Sequence, residues 1–438
     1  MFHHLKQRTY LILRSSEKYT KTDMVYLARG GFWLTISNIS ASAMVFVTAI
    51  VFASHIPAHT YGVYKYFLSI LGILSITTLT GMGSMISQAV ARGLEGSLIK
   101  GLKTKITWGV VGSIVSVGVS IYYYSNGNIE LAIVFLIASL FIPFMDSFHL
   151  YQDYLQGKKI FDISSRYITL SQLIASSLMI ATVFVTSNIY IILVVYLSSW
   201  TLIRILFFFR TIKRYPPNDR IDPATIPMGK HSSFIDVIAT LIGSLDSILI
   251  FHYLGSIELA IYSFAIAPVT QMVSLFRNIP TLAMPKMAAR PIADIGKLLY
   301  KRIFMIFIIS IGIVILYIIF APLIFKIFFP AYLSSVGISR IYALTILISM
   351  PLTMLSPAIN SKVNYLPKKM LYLWNIPSLL STIFIFSFIQ KLGVTSVVYG
   401  RMTLLVATAT ISVFIWFYIV KKDRKQQQTI SDTKTGSL

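Results

Sequence analysis

Twelve apolar runs, near residues 32–54, 62–88, 106–124, 131–150, 167–186, 189–209, 233–254, 259–283, 303–325, 337–358, 371–390 and 395–420, constrain this chain more than any other feature. Each approaches or exceeds the roughly 20 residues that an α-helix needs to cross a bilayer. A soluble core could not hide them, because 56% of the 438 residues are hydrophobic and only 12% are charged. Lipid must therefore be the solvent. The expected fold is an all-α polytopic membrane protein with about 12 transmembrane helices in two six-helix lobes.

The placement of Lys and Arg fixes the expected topology, since cytoplasmic loops retain positive charge. With the N-terminus inside, nearly all of the 38 basic residues fall in tails and inner loops, and the outer loops keep only Lys326 and Lys391. A net charge of +23 would suit nucleic acid if it clustered on one folded soluble face, but here it lies between apolar runs. The resulting division is a basic cytoplasmic tail (1–29), an N-lobe (30–209), a cytoplasmic linker (210–232), a C-lobe (233–420) and a cytoplasmic tail (421–438). Pro216, Pro217, Pro223 and Pro227 make the linker an extended one, and the polar C-terminal tail reads as disordered. Both termini are expected on the cytoplasmic side of the inner membrane.

The two lobes carry a faint internal repeat. Thr35, Asn38, Ser42, Tyr64 and Arg92 recur 198 positions later as Ser233, Asp236, Thr240, Tyr262 and Arg290. Residues at i, i+3 and i+7 share a helical face, so each stripe gives a greasy helix one wet side, as a helix lining an aqueous cavity requires. Six spans return the chain to its starting side. The halves are then parallel repeats about a pseudo-two-fold axis along the membrane normal.

Charges inside the spans are the candidate site, because an embedded charge costs a few kcal/mol or more unless it faces water, pairs or snorkels. Lys65, Arg204 and Arg340 lie near span ends and suit snorkelling, with Lys65 also a cavity candidate. Arg277 flanks a polar face of Gln271, Ser274, Asn278 and Thr281, and Arg401 stands alone after Gly400. The substrate-binding candidates are therefore Arg277, Arg401, Lys65, Asn38, Gln271 and Asn278. Three embedded acids, Asp246, Asp236 and Asp146, are the candidates for ion coupling. Asp246 lies deepest, where it could take up a proton or simply pair with an arginine.

Cysteine is absent, which removes disulfides, thiolate metal sites and cysteine nucleophiles. Without a His-Glu-x-x-His run, a P-loop or a Gly-x-Ser-x-Gly elbow, no catalytic residue, metal site or cofactor is expected, and the chain is not expected to be an enzyme. His149 and His252 read as interfacial histidines at helix ends.

The run His55-Ile-Pro-Ala-His-Thr-Tyr-Gly-Val-Tyr64, followed by Gly81-Met-Gly-Ser84 and Gln88-Ala-Val-Ala-Arg92, resembles the first hairpin of the Wzx-type polysaccharide flippases. These belong to the multidrug/oligosaccharidyl-lipid/polysaccharide exporter superfamily. Ile261-Tyr-Ser-Phe-Ala265 is similar to the start of their eighth helix. The resemblance spans residues 30–420 and implies a V-shaped transporter. It would move a polyprenyl-diphosphate-linked oligosaccharide, such as an O-antigen unit of lipopolysaccharide, to the outer leaflet by alternating access, with ion-coupled antiport in several members. The implied partners are that lipid-linked substrate, membrane lipids and polysaccharide polymerase machinery, and not nucleic acid. A multidrug exporter of organic cations would share the fold but favour embedded acids. A glycosyltransferase or O-antigen polymerase would need a longer outer loop.

Overall fold

The computed structural model describes residues 24–276, 287, 291–362, 365–367, 370, 373 and 376–435; side chains are described from residue 35 onward, except at 235, 236, 238, 239, 297, 298, 426, 427 and 429–435. The N-lobe helices are α1 (Met24–His55), α2 (Ala58–Leu74), α3 (Met82–Ala91), α4 (Ser97–Ser125), α5 (Ile129–Met145), α6 (Leu150–Gly157), α7 (Phe161–Val185) and α8 (Ile189–Arg214). The C-lobe holds α9 (Thr225–Leu254), α10 (Ser256–Ser274), α11 (Ile292–Phe328), α12 (Ser335–Ala343), α13 (Ile346–Asn360), α14 (Ile376–Leu392) and α15 (Val394–Thr435). No strand occurs among the described residues.

Each of the twelve apolar runs overlaps at least one of these helices. Among the described residues, nine spans are long and apolar enough to cross a bilayer, or ten if the bent pair α2–α3 is one span. The other two of the expected twelve fall on α9, a 30-residue helix apolar over Thr240–Leu254, and on the apolar 17-residue α14. Leu140 (70% exposed), Phe304 (67%) and Phe386 (62%) point outward. Such an apolar exterior suits lipid rather than water.

Local chemistry sets several boundaries. The Asn128 and Asn188 side chains accept hydrogen bonds from the Leu131 and Tyr190 amides at 3.0 and 2.9 Å, capping the starts of α5 and α8. Between α2 and α3 the chain turns by 47° through a 3-10 turn, Ser75–Thr78, and Leu79 takes a left-handed φ of 60°. Non-glycine residues enter that region only under constraint. A carbonyl released at such a break needs a partner in the absence of water. The Leu79 carbonyl accepts from Lys105 Nζ at 3.4 Å.

The lobes meet as a two-fold relating residue i to residue i+198 demands. If residue i maps onto i+198, α1 against α10 must imply α2 against α9, and both pairings occur, with α2 also packing on α10 across the axis. Ser42 Oγ lies 2.9 Å from Ser274 Oγ on the first seam. A Cβ on Gly72 would lie 3.8 Å from Ser244 Oγ on the second.

Two sequence expectations change. The linker is not a free extended segment: α8 continues to Arg214, α9 begins at Thr225, and the residues between are strapped to the N-lobe. Arg92 pairs with Asp222, the Gly96 amide donates to the Arg220 carbonyl at 2.9 Å, and Asn218 Nδ2 donates to the Gly93 carbonyl at 2.9 Å. Nor is the start of the C-terminal tail irregular, because α15 runs unbroken to Thr435. Its Lys-, Arg- and Gln-rich stretch holds good helix formers without Gly or Pro, and Lys422 Nζ anchors it to the Tyr365 carbonyl at 2.8 Å.

Candidate functional site

Helices α1, α2, α7 and α8 enclose a cavity of about 250 Å³ inside the N-lobe. Tyr61, Tyr64, Tyr196 and Trp200 supply aromatic walls, while Thr48, Gln172 and Ser176 supply polar groups. Lys65 is its charged member, and no carboxylate lies within 4.0 Å of it among the described residues. The sequence leaves Lys65 between snorkelling and cavity; its position on α2 puts it in the cavity.

A second cavity of about 240 Å³ adjoins the first, with Leu68 and Tyr196 lining both. It reaches Ser75, Asp146 and Arg204 towards the end of the lobe that carries the linker. Asp146, an ion-coupling candidate, is already engaged: Lys105 Nζ lies 2.7 Å from its carboxylate and Thr78 Oγ1 donates to it at 3.0 Å. Lys105, on α4, is 3% exposed and reaches the α2–α3 bend, although its place at a span border reads as loop charge in the sequence. One signal was available. Ser97, Gly101, Lys105, Gly109, Gly112, Ser116 and Ser120 form the buried stripe of α4, so Lys105 stands on a small-residue face turned inward.

Arg204 and Arg340 do not snorkel freely either. Arg204 donates from an Nη to the Met145 carbonyl at 2.7 Å and lies over the Trp200 ring, 5.1 Å from its centroid. Arg340 Nε donates to the Ile318 carbonyl at 3.0 Å.

In the C-lobe the arrangement differs. Arg401 does not stand alone: its Nε pairs with Asp246, and an Nη donates to the Gly243 carbonyl at 3.2 Å. Tyr262 Oη donates to the same carboxylate at 3.0 Å. Gly400 lets α14 and α15 approach, since a Cβ there would lie 2.3 Å from Ile385 Cγ1. Of the two roles left open for Asp246, the geometry provides a partnered ion pair. Tyr64, the repeat partner of Tyr262, instead faces the N-lobe cavity. The buried Asp246–Arg401 charges thus neutralise each other, whereas Lys65 in the N-lobe cavity has no carboxylate within 4.0 Å among the described residues.

The α1 polar stripe touches the polar face of α10 at the Ser42–Ser274 contact, and Asn38 and Gln271 lie half-buried on those same helices, whereas Ser233, on the second stripe, is buried against the Gly81 amide. Arg277 and Asn278 lie outside the described residues, as does the side chain of Asp236 on α9. Among the described residues, no group of three or more His, Asp or Glu could hold a metal ion.

Similarity to known proteins agrees with this architecture. A eukaryotic MATE transporter, AtDTX14, superposes with a TM-score of 0.64 at 11% identity, covering 92% of this chain and 99% of that one. A MOP superfamily transporter from Pyrococcus furiosus, described as having a binding pocket of reverse polarity that suggests a different function, gives 0.63 at 16% identity over 90% and 96%. An outward-facing MATE family multidrug resistance transporter gives 0.61 at 14% identity over 92% and 97%. No curated protein matches the sequence. The fold is that of a membrane transporter of the MOP superfamily. Residues 27–289 match the polysaccharide biosynthesis protein family, and the chain belongs to that family.

Proposed function

We propose that this protein is a flippase that carries a polyprenyl-diphosphate-linked oligosaccharide from the cytoplasmic to the outer leaflet of the inner membrane. The observation carrying this reading is Lys65, a cation without a nearby carboxylate in a cavity walled by tyrosines, a tryptophan and hydroxyl groups. A cation held there without an acid favours an anionic ligand, because its burial is offset when the ligand brings the missing charge. Aromatic faces and small polar groups suit sugar rings and hydroxyls, and family membership supports the same substrate class. The lipid tail would remain in the bilayer while the head crosses between rocking lobes.

The MATE-like fold favours a second reading, export of organic cations. Against it, the acid bordering the N-lobe cavities is neutralised by Lys105 and the buried C-lobe acid by Arg401. We take the chain to be a transporter rather than an enzyme. The test is flipping of a fluorescent polyprenyl-diphosphate oligosaccharide in reconstituted vesicles. Lys65→Gln should slow it about tenfold or more, the loss of one charge-assisted hydrogen bond, and Lys65→Arg should retain most of it. Vesicles that move ethidium while leaving the lipid unflipped would establish the exporter reading instead. A change in glycosidic linkage with normal export in a deletion strain would mark an enzyme.

A further inference from the structure

The two N-lobe cavities hold a second cation that neither topology nor packing accounts for. Arg204 sits on α8 eight residues beyond Tyr196, which with Leu68 lines both cavities, and borders the chamber that adjoins the Lys65 cavity. One nitrogen is used on the Met145 carbonyl, and the guanidinium face rests on Trp200. Its Nε is buried and has no hydrogen-bond partner among the described residues. No carboxylate lies within 4.0 Å of it among the described residues; Asp146 shares the chamber and feels its charge, but its carboxylate is bound directly by Lys105 and Thr78. A buried, unpaired N–H on a charged group is costly, so a site that retains one stays ready for an acceptor. The Trp200 ring stiffens the guanidinium from one side.

We infer that Arg204 is a second anion-binding station, holding a phosphate or carboxylate oxygen of the transported molecule at the linker end of the N-lobe cleft, with Lys65 as the station nearer the opposite end. The inference deepens the flippase reading and rests on it for the identity of the cargo. The two cations line separate but adjoining cavities that share Leu68 and Tyr196. An anion would engage the stations in turn, or a head group with a diphosphate and an acidic sugar would occupy both.

The test uses purified full-length protein in nanodiscs titrated with inorganic pyrophosphate and, separately, with glucuronate, so that phosphate and carboxylate sources are distinguished. Pyrophosphate binding should weaken at least tenfold in Arg204→Gln and only a few-fold in Arg204→Lys, which keeps the charge but loses the fork. Loss of glucuronate binding alone would assign the station to an acidic sugar. Ser75→Asp places a carboxylate in the same chamber without touching Arg204. It should abolish binding of either probe at that station, and it decides the matter if Arg204→Gln does not fold. Unchanged affinity for both probes in Ser75→Asp and Arg204→Lys would overturn the inference, leaving Arg204 as a tie between α8 and the Met145 carbonyl. Probe binding that depends on Arg204, combined with no flipping of the lipid-linked oligosaccharide, would keep the station and reject the cargo. Flipping with no Arg204-dependent binding would do the reverse.

Discussion

Replacing Gly62 by alanine should loosen the contact between the lobes at the end away from the linker. Gly62 on α2 lies against the first residue of α10, where an added Cβ would be 1.9 Å from the Ser256 carbonyl oxygen and 2.5 Å from its carbon. Carbon and oxygen tolerate about 3.3 Å, so the helices must part by roughly 1.4 Å. Two contacts would go with that movement: the stack of Tyr61 on Phe264, with centroids 4.1 Å apart, and the His59 Nδ1–Ser256 Oγ contact at 2.7 Å. Overpacking of this kind costs about 1–3 kcal/mol, which would shift the balance between closed and open arrangements of that end by roughly 5- to 150-fold. The chain has no cysteine of its own, so His59→Cys with Ser256→Cys forms a unique reporter pair. Oxidative cross-linking of that pair should slow by at least fivefold when Gly62→Ala is added, and the substituted protein should still elute as a single species. A cross-linking rate within twofold of the parent, at an unchanged melting temperature, would show that the lobes do not rely on this close approach.

The Asp246–Arg401 pair should behave as a structural unit: Asp246→Asn leaves a buried guanidinium uncompensated, a loss of about 3–5 kcal/mol for a fully buried pair, reduced by the partial exposure of Arg401. Melting should recover in Asp246→Leu combined with Arg401→Met; a single variant that melts normally and transports with a flattened pH profile would instead make Asp246 the proton carrier. At the linker strap, the Ala224 amide, with Thr225 and Arg92, holds the Asp222 carboxyl below the usual carboxylate range. A depressed folded-state pKa gives stability that is present above the unfolded value near 3.8 and is lost as the pH falls through the folded one. Hydrogen exchange at Asn218 to Ala224, corrected for intrinsic rates, should therefore stay flat from pH 7 to about 5 and accelerate only below the ordinary carboxylate range. Acceleration already at pH 6 would mean that another group holds the strap.

The sequence by itself determined the solvent, the class and the plan of the fold. Apolar runs of spanning length admit no soluble packing, and the pairing of α1 with α10 and α2 with α9 is the one a 198-residue repeat about a two-fold axis requires. It also singled out residues that the fold does use, namely Lys65, Asp246, Arg401 and Asp146. Which of these are neutralised was settled only by tertiary structure. Arg401 and Asp246 are 155 positions apart, and Lys105 and Asp146 are 41 apart, so no local periodicity shows that each charge has a partner. The same limit hid Arg204, whose place near a span end looks like snorkelling until the Met145 carbonyl, Trp200 and an adjoining cavity are seen together. A helix-end position records depth along one axis, whereas burial, pairing and cavity lining depend on which other helices pack around it. The linker follows the same rule. Pro216, Pro217 and Pro223 keep the stretch between α8 and α9 out of a helix, but its attachment to Arg92, Gly93 and Gly96 arises from distant segments brought together by the N-lobe.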